Sequence, residues 1–286
     1  MKTVLVLGAA GQLGMCLQEI TAGDNSIDWL FMSSSEVDIT STFDLQQCFN
    51  SKRIDYCVNC SAYTNVEKAE TDREHAFLIN AEAVRNLADI CKKNNTVLFH
   101  FSTDYVFNGR AYMPYKETDL TDPINIYGES KLAGEKNIME HANRYFIFRT
   151  SWLYSGYGHN FFRTVLNKAI NEDDLNITTT QTGTPTNAHH LAQLVVQLIE
   201  EGNSCYGLYH FSNSGETTWY GFAKEIVELA GLNKGKLKED NSYKTIAARP
   251  AYSVLDKTKL TETFSFHVPS WEEGVKELYL KETLQN

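Results

Sequence analysis

The sequence predicts an α/β fold: a doubly wound parallel sheet followed by a smaller C-terminal α/β part. Three observations carry this expectation. From the start to about residue 150, short β-rich runs alternate with longer stretches of helical period, the pattern of βαβ units. The first of these runs passes straight into glycines, Gly8-Ala9-Ala10-Gly11-Gln12-Leu13-Gly14, which open a helix. A chain of 286 residues, 42% hydrophobic and 22% charged, is also long enough to bury a substantial core and suggests about two domains.

Lys2 to Leu7 reads as a buried strand, and Leu13 to about Ala22 as the helix after the glycine turn. Trp29 to Met32 gives a second strand, Thr42 to Lys52 a helix, and Asp55 to Cys60 a third strand. Arg73 to Asn94 places Phe77, Val84, Leu87 and Ile90 at helical spacing. Thr96 to Phe101 is a fourth strand, the segment after Tyr127 a helix, and Tyr145 to Phe148 a further strand. Parallel strands joined by right-handed helical crossovers close this part, 1–150, into one sheet. Beyond it, 151–286 is less regular, with turns at YSGYGHN, TTTQTGTPTN and SNSGETT and helices at about His189 to Glu201, Trp219 to Leu229 and Trp271 to Leu284. Five prolines and no low-complexity tract leave no place for a flexible linker, so the second part is expected to pack directly on the first.

Composition excludes several classes. A net charge of -10 argues against a nucleic-acid backbone as partner, which needs a clustered basic surface. No run approaches the ~18 to 20 apolar residues that span a bilayer. The first residues have one Lys and a short apolar run without a cleavage signal, so a cytoplasmic protein is expected. The six cysteines lie scattered in apolar runs, as reduced core thiols do; Cys57-Val58-Asn59-Cys60 reads as a buried strand, not a metal or redox pair.

Placed between a strand and a helix, the glycine turn becomes informative. Gly8 permits the tight turn, Gly11 lets backbone approach a pyrophosphate, and Gly14 lets the helix pack close to the sheet. The unpaired N–H groups around Ala10, Gln12 and Leu13 then face that anion. This predicts a Rossmann-type dinucleotide site. By topology, Asp38 and Ile39 fall on its adenine side, and Ser61, Ala62 and Tyr63 beside its ribose and phosphates. The second strand ends in Met32-Ser33-Ser34-Ser35, with no acidic residue closing it, so the choice between NADPH and NADH stays open.

Tyr127 and Lys131, four residues apart, project from one face of a helix. A phenol of pKa ~10 holds its proton tightly, and a neighbouring ammonium is expected to lower that value and make Tyr127 a usable acid. In a carbonyl reduction the phenol protonates the oxygen while a nicotinamide delivers hydride; Lys131 is also placed to hold the nicotinamide ribose. Ser102-Thr103-Asp104-Tyr105 falls just past the fourth strand, where open sheets bind ligands, and Thr103 can bond a substrate oxygen; a plain strand-end cap is the other reading. His100, alternating within an apolar strand, reads as a hydrogen-bonded core histidine.

Together GAAGQLG, STDYVF, YGESKLAGEK, FRTSWLY, GTPTNA, GLYHFSNSGETTWYGFA and the late AARP resemble, over nearly the whole chain, the extended short-chain dehydrogenase/reductase superfamily and its dTDP-4-dehydrorhamnose reductase branch. The resemblance implies NADPH- or NADH-dependent reduction of a dTDP-linked 4-keto-6-deoxy sugar, dTDP-4-dehydro-L-rhamnose, to dTDP-L-rhamnose, within cell-surface polysaccharide biosynthesis. It implies Thr103, Tyr127 and Lys131 as the catalytic set and 151–286 as mainly substrate-binding, with some segments returning to the sheet. Asp104 and Trp152 match positions at the sugar, and Arg249 is suited to the anionic part of the nucleotide. Trp219 is an aromatic platform or core. Some members of the branch bind Mg²⁺ through acidic residues at a dimer interface; the aligned positions here hold Cys16 and His189, poor partners for a hard cation, so no metal is expected and monomer or homodimer stays open. Other readings stay open: another nucleotide-sugar reductase, epimerase or dehydratase on the same scaffold, and a non-catalytic subunit similar to the regulatory subunit of methionine adenosyltransferase.

Overall fold

Period-two alternation in the first strand divides the core. Val4 and Val6 point to one face of the sheet and Leu5 and Leu7 to the other, all fully buried. The structure, a computed structural model, describes residues 1–232, 234–242 and 244–284. Its central sheet is wholly parallel and has six strands: β1 (Lys2–Leu7), β2 (Ile27–Met32), β3 (Tyr56–Asn59), β4 (Val97–Thr103), β5 (Tyr145–Thr150) and β6 (Gly207–His210). Their spatial order is β6-β5-β4-β3-β1-β2.

The longer helices are α1 (Gln12–Ile20), α2 (Thr42–Ser51), α3 (Ala83–Asn94), α4 (Ile126–His141), α5 (Phe161–Ile170), α6 (Ala188–Glu201), α7 (Trp219–Leu229), α8 (Thr258–Phe264) and α9 (Trp271–Leu284). On one face α1 and α6 bury Leu17, Leu191, Val195 and Leu198 against Val4, Val58, Phe99, Phe146 and Phe148. On the other, α2, α3 and α4 bury Leu45, Phe49, Leu87, Cys91 and Ile138 against Leu5, Cys57, Leu98 and Ile147. Each large side chain so covered contributes about 1.5–3 kcal/mol. A third cluster, Tyr154, Phe162, Phe222, Trp271 and Val275, joins α5, α7 and α9 beyond the carboxyl ends of the strands.

The first five strands, α1 and α2, and the later helices α6, α7 and α9 lie where the sequence pattern puts them. Helices α5 and α8 were not expected, and β6 only as an unplaced segment returning to the sheet. Helix α5 carries a legible signal, an Asn160 cap bonding Arg163 N and buried Phe162, Val165 and Ala169 at helical spacing, but it directly follows a glycine-rich turn. β6, four residues long, is too short for a period to emerge. The helical run from Arg73 to Asn94 is broken by a π segment, Leu78–Glu82, which turns Asn80 inward. Among the described residues no helix is long and apolar enough to cross a membrane.

Candidate active site

From β1 the chain goes to β2 on one side, then crosses to β3 on the other. Open α/β sheets bind ligands outside the carboxyl ends of the strands at such a reversal. A cleft of about 570 Å³ opens there, and it brings together Ala10, Gly11, Gln12, Leu13, Ser61, Ala62, Thr103, Asp104, Tyr127, Lys131, Trp152, Trp219 and Arg249. A neighbouring hollow of about 350 Å³ shares Ala10, Gly11, Ser61 and Ala62 and adds Gly8, Asp38 and Ile39. Two of the expected cofactor residues line neither. Gly14 packs under the turn against Ala9, and the Tyr63 ring turns away to Ala69 and Ala76 with its hydroxyl donating to Asp72 at 3.2 Å.

The turn fits a dinucleotide. Gly8 has φ +74°, and a Cβ there would lie 2.7 Å from the Ser61 nitrogen, so no other residue lets the two loops approach. Helix α1 starts at Gly11 with no side chain capping it and no acidic residue in its first turn, which leaves its N–H groups and positive end to the cleft. The Gln12 carboxamide oxygen accepts from Ser155 Oγ and Asn160 Nδ2, both at 2.9 Å, tying the turn to the C-terminal part. Asp38 is likewise engaged, accepting from Thr40 N and Oγ1. At the end of β2, Ser33 donates its N–H and hydroxyl to Glu36, while Ser34 lines the hollow.

Helix α4 delivers Tyr127 and Lys131. Asn125 caps it, accepting from Gly128 N at 2.8 Å and donating to Ala248 O at 2.8 Å, and Glu70 accepts from Ile126 N at 2.9 Å. Gly128 permits the approach to the turn that follows β4, since a Cβ there would meet the Tyr105 carbonyl oxygen at 2.2 Å. Lys131 is buried; its ammonium donates to Phe101 O at 2.6 Å and lies 3.4 Å from His100 Nε2. Burial lowers its pKa to about 8, with Glu135 pulling the other way. The expected lowering of the Tyr127 pKa is not found. Burial raises it above the ordinary phenol value, against the opposing hydrogen bond with Thr103, and Asp104 and Tyr105 add to the rise. The phenol therefore keeps its proton in the free protein, the state a proton donor needs.

Thr103 serves both readings. Its hydroxyl accepts from Tyr105 N at 3.2 Å, as a strand-end cap does, donates to Asp104 Oδ1 at 3.1 Å, and still lines the cleft. Asp104 is 2% exposed, and burial pushes its carboxyl up to about 7 against the bonds from Ser253 and Thr103. Three buried polar atoms lining the cleft, Ser102 Oγ, Asp104 Oδ2 and Arg249 Nε, have no protein partner. Such atoms suit a polar ligand, because leaving them unmet costs free energy.

Trp152, at φ +46°, stacks on Trp219 with centroids 3.7 Å apart and planes at 10°. Trp219 is thus core to Phe161 and cleft wall at once. Arg249 is paired with Glu67 at 2.8 Å and reaches the Tyr105 hydroxyl at 3.4 Å. Glu67 also accepts from Ile246 N and Ala247 N, so it fixes the whole segment. Sequence reasoning missed Glu67 and also Asn80, which the π segment turns inward to bond Tyr63 N, Tyr63 O and Ser130 Oγ. A helix interior residue with polar partners this far off leaves no local signal. Cys16 is fully buried, its thiol pushed up to about 12 by burial, and His189 is held by Glu19 at 2.9 Å and Lys281 at 2.7 Å.

Residues 1–284 match the family model described as RmlD substrate binding domain. The chain is 38% identical to the dTDP-4-dehydrorhamnose reductase of Escherichia coli (strain K12), over 96% of each chain. It is 36% identical to the spore coat polysaccharide biosynthesis protein SpsK of Bacillus subtilis (strain 168), over 99% of this chain and 98% of that one. Its fold superposes with a TM-score of 0.92 on a dTDP-4-dehydrorhamnose reductase from Bacillus anthracis str. Ames crystallised with NADP, at 37% identity, covering 98% of this chain and all of that one.

Proposed function

The chain belongs to the RmlD substrate binding domain family, and on that premise we propose how the residues of its cleft divide the work. It is an NAD(P)H-dependent oxidoreductase of dTDP-rhamnose biosynthesis that reduces the C4 keto group of dTDP-4-dehydro-L-rhamnose to give dTDP-L-rhamnose. The observation that carries the residue assignment is the meeting of three elements in one cleft: the uncapped start of α1, the end of β4 with Thr103 and Asp104, and the face of α4 with Tyr127 and Lys131.

The pyrophosphate of the cofactor fits the backbone from Ala10 to Leu13, and its adenosine the hollow between Ser34, Asp38, Ile39 and Ser61. Bound NADPH or NADH supplies the hydride for the carbonyl carbon. Tyr127 gives its phenolic proton to the oxygen at C4, and Thr103 holds that oxygen in place. Lys131, with a pKa of about 8, holds the ribose and can return a proton to Tyr127. Asp104 and the stacked Trp152 and Trp219 bound the sugar; Arg249, already paired with Glu67, orients toward the nucleotide.

On this reading 1–150 binds the cofactor, and 151–286 is mainly substrate-binding although β6 lies within the sheet and α6 packs against it. A cytoplasmic location belongs to the same proposal, and a net charge of -10 does not favour a nucleic-acid backbone as partner. Tyr127→Phe tests the assignment: kcat should fall by about 10²–10⁴ while cofactor affinity stays within about twofold. Reduction at the wild-type rate by that variant contradicts it.

A further inference from the structure

We propose that His100, in the tautomer that Asn59 imposes on it, is a positioning residue that sets the proton affinity of Lys131 and with it the pH range of the reaction. The inference rests on the place of Lys131 in the catalytic unit. It follows from hydrogen-bond accounting along β3 and β4. The Ser61 N–H donates to Asn59 Oδ1 at 3.1 Å, which fixes the carboxamide. Its other end, Nδ2, can only donate, and it lies 3.2 Å from His100 Nδ1. Nδ1 must then accept, and a neutral imidazole accepting at Nδ1 carries its proton on Nε2. Burial keeps His100 neutral, and the charge of Lys131 adds to that.

The Nε2–H lies 3.4 Å from Lys131 Nζ. An ammonium at Lys131 meets it donor to donor, whereas a neutral amine accepts from it. Phe101 O accepts from Lys131 in either state, so it does not discriminate. His100 therefore penalises the charged form alone. Of the other charged groups, Glu135 on α4 acts on Lys131, while Tyr127, which keeps its proton, and Asp104, just past β4, line the same cleft. Glu135 favours the ammonium, but its carboxylate is neutralised by Arg149 of β5 at 2.7 and 2.9 Å. A lysine at its ordinary pKa of ~10.4 would return a proton to Tyr127 reluctantly; one held lower does so near neutral pH.

Two measurements test this. In the free protein, ¹⁵N NMR of labelled histidine should show His100 protonated at Nε2 and bare at Nδ1; an Nδ1–H tautomer overturns the proposal. In the pH profile of kcat/KM, His100→Gln, whose carboxamide oxygen can turn to the ammonium, should move the alkaline limb up by about one pH unit. Asn59→Asp keeps the Ser61 bond and offers His100 an acceptor, so it should switch the tautomer and move the limb the same way. A limb that stays in place in both variants, with NADPH binding intact by fluorescence titration, overturns the proposal. Failure of the underlying assignment looks different: Tyr127→Phe would turn over normally while the tautomer in the free protein stayed as predicted.

Discussion

Asp104 meets the cleft with a carboxyl that folding has made hard to ionise. Its pKa rises from 3.8 to about 7 because the group is buried, and one of its oxygens has no protein partner. Since folding raises the value, the folded state holds a proton that the unfolded state releases, and stability falls as pH climbs from about 4 to 7. Asp104→Asn removes that penalty. Urea denaturation should show the variant within about 1 kcal/mol of wild type at pH 4 and roughly 2–4 kcal/mol more stable at pH 8; an equal offset at both pH values contradicts the account. The spacing of Tyr127 and Lys131 was legible in the sequence, as was the strand-end position of Thr103. The electrostatics were not. Which way Lys131 points depends on Phe101 and His100, about thirty residues earlier on another element, and no local pattern carries that contact.

At the scale of elements, α4 is the part whose placement decides the chemistry. Asn125 and Glu70 hold its first turn, Asn80 bonds Ser130 from the π segment, and Gly134 lets the two helices close, since a Cβ there would lie 2.1 Å from Asn80 O. Gly128→Ala pushes the helix off the Tyr105 carbonyl and moves the phenol from Thr103. A displacement near 1 Å should lower kcat about 10²-fold with stability reduced by only a few kcal/mol, readable by steady-state kinetics beside a thermal melt; unchanged kcat would show that the approach of α4 to the turn after β4 is not needed. Strands with two-fold alternation and helices with caps were readable one by one. The π segment was not, because the extra residue in that turn goes with the bonds of Asn80 to Tyr63 and Ser130, which lie far off in the sequence.

For the whole molecule, a buried ion pair ties α4 to the sheet and lies beside the strand that the C-terminal part adds to it. Arg149 of β5, 3% exposed, clasps Glu135 of α4 bidentately, lies over the Phe107 ring at 5.1 Å, and approaches His210 of β6 at 3.4 Å. Removing one partner strands the other charge in the core. Arg149→Met should cost about 3–5 kcal/mol in urea denaturation, and adding Glu135→Leu should recover part of the loss. Additive losses in the double variant would mean that the pair does not act as a unit. The resemblance implied that segments of 151–286 return to the sheet, but no local pattern marks 207–210 as that segment, because four residues pair there only once β5 is in place.

The reaction itself is tested by mixing the purified protein with dTDP-4-dehydro-L-rhamnose and NADPH or NADH, following loss of the reduced nicotinamide's absorbance and identifying the sugar. One cofactor should be oxidised per sugar reduced, with dTDP-L-rhamnose as product. No oxidation of either cofactor, while both still bind, would contradict it.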